Sequence, residues 1–174
     1  MSWGKLLQPD LFLPATILSL TPELVAQNNL KGLILDVDET LVPITVAQVS
    51  AELLPWVEAM QQITPQIWLV SNNISETRIS RIGQALNLPY LTGAGKPSRR
   101  KLRRAIEQMQ LQPEQVGMVG DRLFTDVLAG NRLGMFTVLV QPMVDPAEVD
   151  RRYFVHSVEF TLSRALGASL SPNK

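Results

Sequence analysis

The sequence predicts an α/β fold of three layers, with a central parallel sheet of about five strands covered by helices on both faces. Three observations predict it. Short aliphatic runs alternate with longer amphipathic stretches, the pattern of repeated βα units. The runs are apolar throughout, as strands buried on both faces must be. Polar residues suited to one phosphate-and-metal site follow the ends of four consecutive strands, the edge where parallel sheets hold their ligands.

The elements follow in order. "MSWGKLLQPDLFLPATILSL" is apolar, but Pro9, Asp10 and Pro14 break it, only Lys5 supplies an early positive charge, and no small-x-small cleavage pattern follows. It is expected to be mature protein, not a signal peptide. "TPELVAQNN" is a short helix with Thr21 as N-cap and Pro22 in its first turn. "GLILDV" is a strand. "AELLPWVEAMQQI" is a helix that tolerates Pro55 only near its start or at a kink. "QIWLVSNN" is a strand running into a polar loop, and Ser75 caps a helix to about Leu86. "PYLTG" is a weak strand. "PSRRKLRRAIEQMQ" is a helix with Leu102, Ala105, Ile106 and Met109 on its apolar face. "QVGMVG" is a buried strand, "FTDVLAGNRLG" a helix closed by Gly134, and "MFTVLV" the last strand. After Gln141, "PMVDPAEVD" is loop-like, "RRYFVHSVEFTLSRAL" is an amphipathic helix, and "SPNK" is expected to fray.

The 174 residues fit one domain with a sizeable core. The expected division is a leader over 1–29, the core over 30–140 and a C-terminal extension over 141–174. A composition of 45% hydrophobic and 18% charged residues is that of a globular protein and argues against disorder. The formal charge is zero, so bulk charge points neither to nucleic acid nor to an anionic membrane. No nucleic-acid partner is expected. With no cysteine, the chain has no disulfide, thiolate nucleophile or Cys-ligated zinc. The single His156 excludes a His-rich metal site, and it excludes Ser-His-Asp catalysis unless that one residue reaches a site. No window offers the ~18 uninterrupted apolar residues of a spanning helix.

The strand ends carry the chemistry. Asp36 and Asp38 follow the first, Ser71 and Asn72 the second, Lys96 the third and Asp121 the fourth. Two carboxylates converging on one cavity repel each other unless a cation neutralises them. Asp121 adds a carboxylate from another strand, and magnesium suits such an oxygen site because it takes few carboxylates and keeps water or phosphate as its other ligands. Lys96 adds a positive donor and Ser71 a hydroxyl, together able to polarise a phosphoryl group. Taken singly these residues are ordinary: Ser71 as a turn or cap, Lys96 as a solvated side chain, Asp121 and Asp126 as caps. Their order and placement change the reading.

That order resembles the haloacid dehalogenase-like (HAD) phosphatases. "LDVDETLV" is similar to their DxDx[TV] first motif, "WLVSNN" to their second, "GKP" to their lysine-bearing third, and "MVGDRLFTD" to the GDxxxxD form of their fourth. The resemblance runs from about Leu30 to Val140 and implies a Rossmann-like core. It implies Asp36 as nucleophile forming an aspartyl-phosphate, and Asp38 as acid and base. It implies Mg2+ held by Asp36, the Asp38 backbone carbonyl and Asp121, with Asp126 supporting the metal waters or Lys96. Ser71, with Asn72, and Lys96 would bind the phosphoryl group, and Thr40 would fix the first loop. Glu39, where many relatives have Gly or Asn, is expected to face solvent and bind no metal.

Val42 to Ile67 has room for a loop and one helix, and Asn73 to Lys96 for one helix and a short strand. Neither gap holds a cap domain. An uncapped site suits a substrate that itself covers the mouth. The leader "LLQPDLFLPATILSLTPELV" with "KGLILDVDETLVP" and "VGDRLFTDVLAGNRLG" resembles the subfamily IIIA, YqeG-type branch, which includes phosphatidylglycerophosphate phosphatases. This implies a phosphorylated lipid as substrate, peripheral membrane contact and a cytoplasmic location on the inner face of a membrane. Arg99, Arg100, Lys101, Arg103 and Arg104, and the apolar leader residues, are candidates to touch lipid; a solvated helix face and packing against the sheet are the plain alternatives. The competing functions are an uncapped phosphatase for a soluble sugar phosphate, nucleic-acid end or phosphoprotein, and a silent phosphate-binding or scaffold protein.

Overall fold

The computed structural model describes residues 3–46, 48–143 and 149–169, with residues 149–156 as backbone only. Six strands, one more than expected, form one parallel sheet: β1 (Leu11–Phe12), β2 (Gly32–Leu35), β3 (Gln66–Val70), β4 (Tyr90–Leu91), β5 (Val116–Gly120) and β6 (Phe136–Leu139). Their spatial order is β1-β6-β5-β2-β3-β4. The additional strand, β1, lies in the leader and pairs in parallel with β6. Its two residues are too short to show a strand pattern. Its register is secured by Asp10, whose Oδ2 accepts the Thr137 amide at 2.7 Å and the Thr137 hydroxyl at 3.0 Å.

The helices are α1 (Trp3–Leu6), α2 (Pro22–Gln27), α3 (Leu53–Ile63), α4 (Glu76–Leu86), α5 (Arg100–Met109), α6 (Leu128–Asn131) and α7 (Val149–Ala165). The expected caps are present: Thr21 accepts the Leu24 amide, Ser75 accepts the Arg78 amide, and Gly134 adopts φ 79° beyond α6. Pro55 sits in the first turn of α3, where its missing N–H costs nothing. Ahead of α6, residues Leu123–Val127 form a π-helical turn instead of the expected α-helix.

The two-residue period of β2 divides the core. Leu33 and Leu35 enter a cluster with Val57, Met60, Ile79 and Ile82. Ile34, on the opposite face, packs with Leu102, Ala105, Ile106 and Met109 of α5. Each such fully buried side chain contributes about 1.5–3 kcal/mol. The leader packs as well: Leu7, Leu11, Phe12 and Ile17 are buried, and the Phe12 ring meets Phe160 of α7 edge-on at 5.8 Å. These leader residues face protein, not lipid. β2 and β5 lie side by side at the centre of the sheet, so the loops after them, carrying Asp36 and Asp121, emerge next to each other.

Candidate active site

The loop after β2 is short and closed on itself. The amides of Leu41 and Val42 donate to the Val37 carbonyl, and the Glu39 amide donates to the Val42 carbonyl at 2.7 Å. The turn demands φ 67° at Glu39. The loop holds Asp36 under the cavity and turns Asp38 toward β3. Thr40, fully buried, donates to Asp121 Oδ1 at 3.1 Å, so it orients a carboxylate of the fourth motif and does not merely brace its own loop.

Glu39 departs from expectation: it is 3% exposed and lines the cavity. Its carbonyl accepts the Met143 amide at 2.6 Å, which ties this turn to the segment after β6.

Asp36, Asp121 and Asp126 each place a carboxylate oxygen within 4.8 Å of the others, and all three are buried. Lys96 reaches into this group: its Nζ is 2.6 Å from Asp36 Oδ1 and 2.7 Å from Asp126 Oδ1. Three acids against one ammonium leave an excess of negative charge, and hard oxygen donors in that number fit a divalent cation. Burial pushes the Asp36 carboxyl up to about 8, against the pull of Lys96 and with the added repulsion of Asp126 and Asp121. Burial raises Asp126 in the same way, against Lys96. For Lys96, burial works against the charged form, but Asp126 and Asp36 outweigh it and hold the ammonium above the ordinary lysine range. A cation joining the group would relieve the strain on both carboxylates.

Asp126 is brought in by the π-helical turn. The Asp126 and Val127 amides both donate to the Arg122 carbonyl, and this wider turn swings Asp126 back so that its Oδ2 accepts the Arg122 amide at 3.2 Å. Gly120 makes room for it: a Cβ there would lie 2.3 Å from Asp126 Oδ2. Asp126 thus stands beside Asp36 and Asp121 and, paired with Lys96 at 2.7 Å, is placed where it can orient that ammonium.

The Asp38 carboxylate lies outside that group and has its own donors. Its Oδ2 accepts the Ser71 hydroxyl at 3.3 Å and the Asn73 side-chain amide at 3.1 Å. Its Oδ1 is 2.9 Å from Arg78 Nη1. Asp36 and Asp38 are therefore separated into a metal-side and a donor-side carboxylate.

Asn72 is engaged differently from the phosphate contact expected of it. Its Oδ1 accepts the Lys96 amide at 2.7 Å and its Nδ2 donates to the Lys96 carbonyl at 3.1 Å. The loops after β3 and β4 are thereby fastened together, with Lys96 aimed inward.

A cavity of about 230 Å³ opens at this site, lined by Asp36, Asp38, Glu39, Ile44, Asn72, Asn73, Lys96, Asp121, Arg122 and Thr125, with Ser71 and Asp126 buried behind its wall. Arg122 is held from outside the core: Glu159 of α7 accepts its Nε at 2.7 Å and also accepts the Leu123 amide at 3.1 Å. Burial disfavours the Arg122 charge, and Glu159 outweighs it, so the guanidinium is held above its ordinary range. Asn73 and Arg122 sit beside the strand-end residues Asn72 and Asp121 and within the same motifs, whereas Arg78 and Glu159 have no strand-end signature; an arginine three residues beyond a cap and a glutamate in a distant helix look like surface charges in the sequence. His156 falls among the side chains outside the described set, as do residues 144–148 and 170–174.

Between β2 and β3 the described residues form only α3, and between β3 and β5 only α4, β4, α5 and a single 3-10 turn. Neither of the two gaps flanking the second motif holds a cap domain. Of the basic cluster, Arg99 donates to the Arg132 carbonyl and Lys101 to the Thr92 carbonyl, while Arg100, Arg103 and Arg104 are exposed. No helix among the described residues is long and apolar enough to cross a membrane.

The chain is similar to several known proteins. The HAD-hydrolase-like family matches residues 93–154. A Bacillus subtilis (strain 168) protein described as probable phosphatase YqeG is 37% identical over 80% of this chain and 80% of its own. Phosphatidylglycerophosphate phosphatase 1, chloroplastic, of Chlamydomonas reinhardtii is 31% identical over 68% of this chain, and the match spans 47% of that protein. The solved structure of NagD from E. coli K-12 superposes on 70% of this chain and 92% of its own with a TM-score of 0.55 at 15% identity, which shows a shared fold.

Proposed function

Because the chain belongs to the haloacid dehalogenase-like phosphatases, we propose that it is a magnesium-dependent phosphomonoesterase of the YqeG-type, subfamily IIIA branch, working through an aspartyl-phosphate on a lipid phosphate. Phosphatidylglycerophosphate, converted to phosphatidylglycerol, is the substrate we assign. One observation carries the chemistry: Asp36 lies 2.6 Å from the Lys96 ammonium within the carboxylate group of Asp121 and Asp126, while Asp38 is held apart on separate donors. Metal work and acid–base work are thus divided.

In the first half-reaction an Asp36 oxygen attacks phosphorus, the bond to the leaving oxygen breaks, and Asp38 gives that oxygen its proton. In the second, water attacks phosphorus, Asp38 takes the water's proton, and Asp36 leaves as the carboxylate with release of inorganic phosphate. Ser71 meets the phosphoryl oxygens, and Lys96, whose backbone Asn72 holds on both sides, offsets the charge of nucleophile and phosphate. Asp36, Asp121 and the Asp38 carbonyl would hold Mg2+, with Asp126 and, through Asp121, Thr40 in support; bound there, the ion would supply compensating charge for nucleophile and phosphoryl group.

The lipid assignment is supported by the relative in Chlamydomonas and by the site's surroundings. Ile44, on the cavity wall, is 46% exposed, and Ile74, beside Asn73, is 86% exposed. Arg100, Arg103 and Arg104 follow on α5, and each basic residue near an anionic leaflet adds about 1 kcal/mol. The proposed location is the cytoplasmic face of a membrane. The test is phosphate release from phosphatidylglycerophosphate in vesicles beside soluble phosphomonoesters. Turnover of the lipid, abolished in Asp36→Asn, is expected. Turnover of soluble sugar, nucleotide or peptide phosphates alone overturns the lipid substrate, and a rate unchanged by Asp36→Asn overturns the nucleophile.

A further inference from the structure

Arg78 sits on α4, away from the four strand ends. Its guanidinium spans two neighbours. Nη1 is 2.9 Å from Asp38 Oδ1, and Nη2 donates to the carbonyls of Pro43 at 2.9 Å and Val46 at 2.7 Å. The contact is sheltered, with the side chains of Arg78 and Asp38 14% and 17% exposed.

We propose that Arg78 is the positioning residue for Asp38, fixing the acid–base carboxylate and, with the same guanidinium, the 43–46 loop at the cavity mouth. The proposal rests on the acid–base reading of Asp38. Its force comes from Ser71. That hydroxyl has one hydrogen, donated to Asp38 Oδ2 but required by the phosphoryl group once substrate binds. Asp38 then loses a donor at the moment its geometry matters most. Arg78 cannot be drawn away in the same manner, because the Pro43 and Val46 carbonyls anchor its other nitrogen. A lysine, with one compact ammonium, has no planar fork to span a carboxylate and two carbonyls.

A residue that merely braces the loop would slow all substrates alike. A residue that positions the acid acts on substrates whose leaving group needs a proton. The experiment compares kcat/KM for an alkyl phosphomonoester and for 4-nitrophenyl phosphate, whose phenolate leaves without one, in wild type, Asp38→Asn, Arg78→Gln and the double variant. For Arg78→Gln the alkyl substrate is expected to lose roughly 100-fold and the nitrophenyl substrate less than roughly tenfold, within the range of general acid catalysis. In the Asp38→Asn background the same change is expected to add almost nothing. Equal losses on both substrates, or losses that multiply in the double variant, overturn the proposal. An Asp38→Asn enzyme indifferent to the leaving group overturns the acid–base reading instead, and the role of Arg78 with it. Thermal melts accompany each variant; should Arg78→Gln melt below the assay temperature, Arg78→Lys, which keeps the charge, is carried through the same comparison with the same criteria.

Discussion

The ammonium of Lys96 stands 2.7 Å from Asp126 Oδ1, both side chains 1% exposed. The third and fourth motifs are thus joined by an ion pair that water does not reach, and the same ammonium is bound to Asp36. Such a pair is costly to break from one side, because the remaining charges are left buried.

Lys96→Met is therefore expected to destabilise the metal-free protein by about 3–5 kcal/mol and to abolish turnover. Thermal melts with and without magnesium read the first effect. A larger magnesium-induced rise in Tm than in wild type is expected, since the cation then meets the acids alone. A variant as stable as wild type without metal contradicts this account.

Stability of the metal-free protein should fall as pH rises. The Asp36 carboxyl moves from an ordinary 3.8 to about 8 in the fold, chiefly by burial, so between those values the folded state binds more protons than the unfolded one. Its contribution is fully present below the unfolded value and lost as pH passes through the folded one. Asp126 shifts in the same direction. The expected loss from about pH 4 to pH 8 is on the order of a few kcal/mol. Denaturant titrations in chelator measure it, and the stabilisation by magnesium should be larger at pH 8 than at pH 5.

Two glycines of β5 separate packing from chemistry. A Cβ at Gly120 meets Asp126 Oδ2 at 2.3 Å, whereas one at Gly117 meets Leu33 Cδ2 at 2.9 Å. Gly120→Ala is expected to cut turnover by more than about tenfold by pushing Asp126 off Lys96. Gly117→Ala should cost about 1–3 kcal/mol from overpacking while folded enzyme keeps its rate. Active-site titration against melting temperature distinguishes the two.

Glu159→Ala removes the acceptor of both the Arg122 side chain and the Leu123 amide. Leaving the buried Leu123 amide without an acceptor should cost about 1–3 kcal/mol, felt first at α7. Faster amide exchange at Leu123 in the variant is the direct readout; unchanged exchange there would show that α7 does not hold the loop.

The strand ends are legible in the sequence because parallel sheets force consecutive strands to present their carboxyl ends together, and Asp36, Asp38, Ser71, Lys96 and Asp121 occupy that edge. β1 is not legible: two residues acquire strand geometry only by pairing with β6, a partner far along the chain. Arg78 and Glu159 are hidden for a related reason. Each looks like a helix-surface charge until a distant loop is laid against it. The burial of Glu39 escapes local pattern because a charged side chain in a loop argues for solvent, and only the tertiary fold turns it inward. The place of Asp126 in the metal-capable group escapes it too, because the spacing of the motif does not disclose a π-helical turn.

The reciprocal bonds between Asn72 and the backbone of Lys96 have a mechanical consequence. Two loops from different strands become one stiff bracket, with a hydroxyl at one arm and an ammonium at the other. On the proposed role of Ser71 and Lys96 in holding the phosphoryl group, the spacing of those two donors would then be set by the bracket and not by the incoming group.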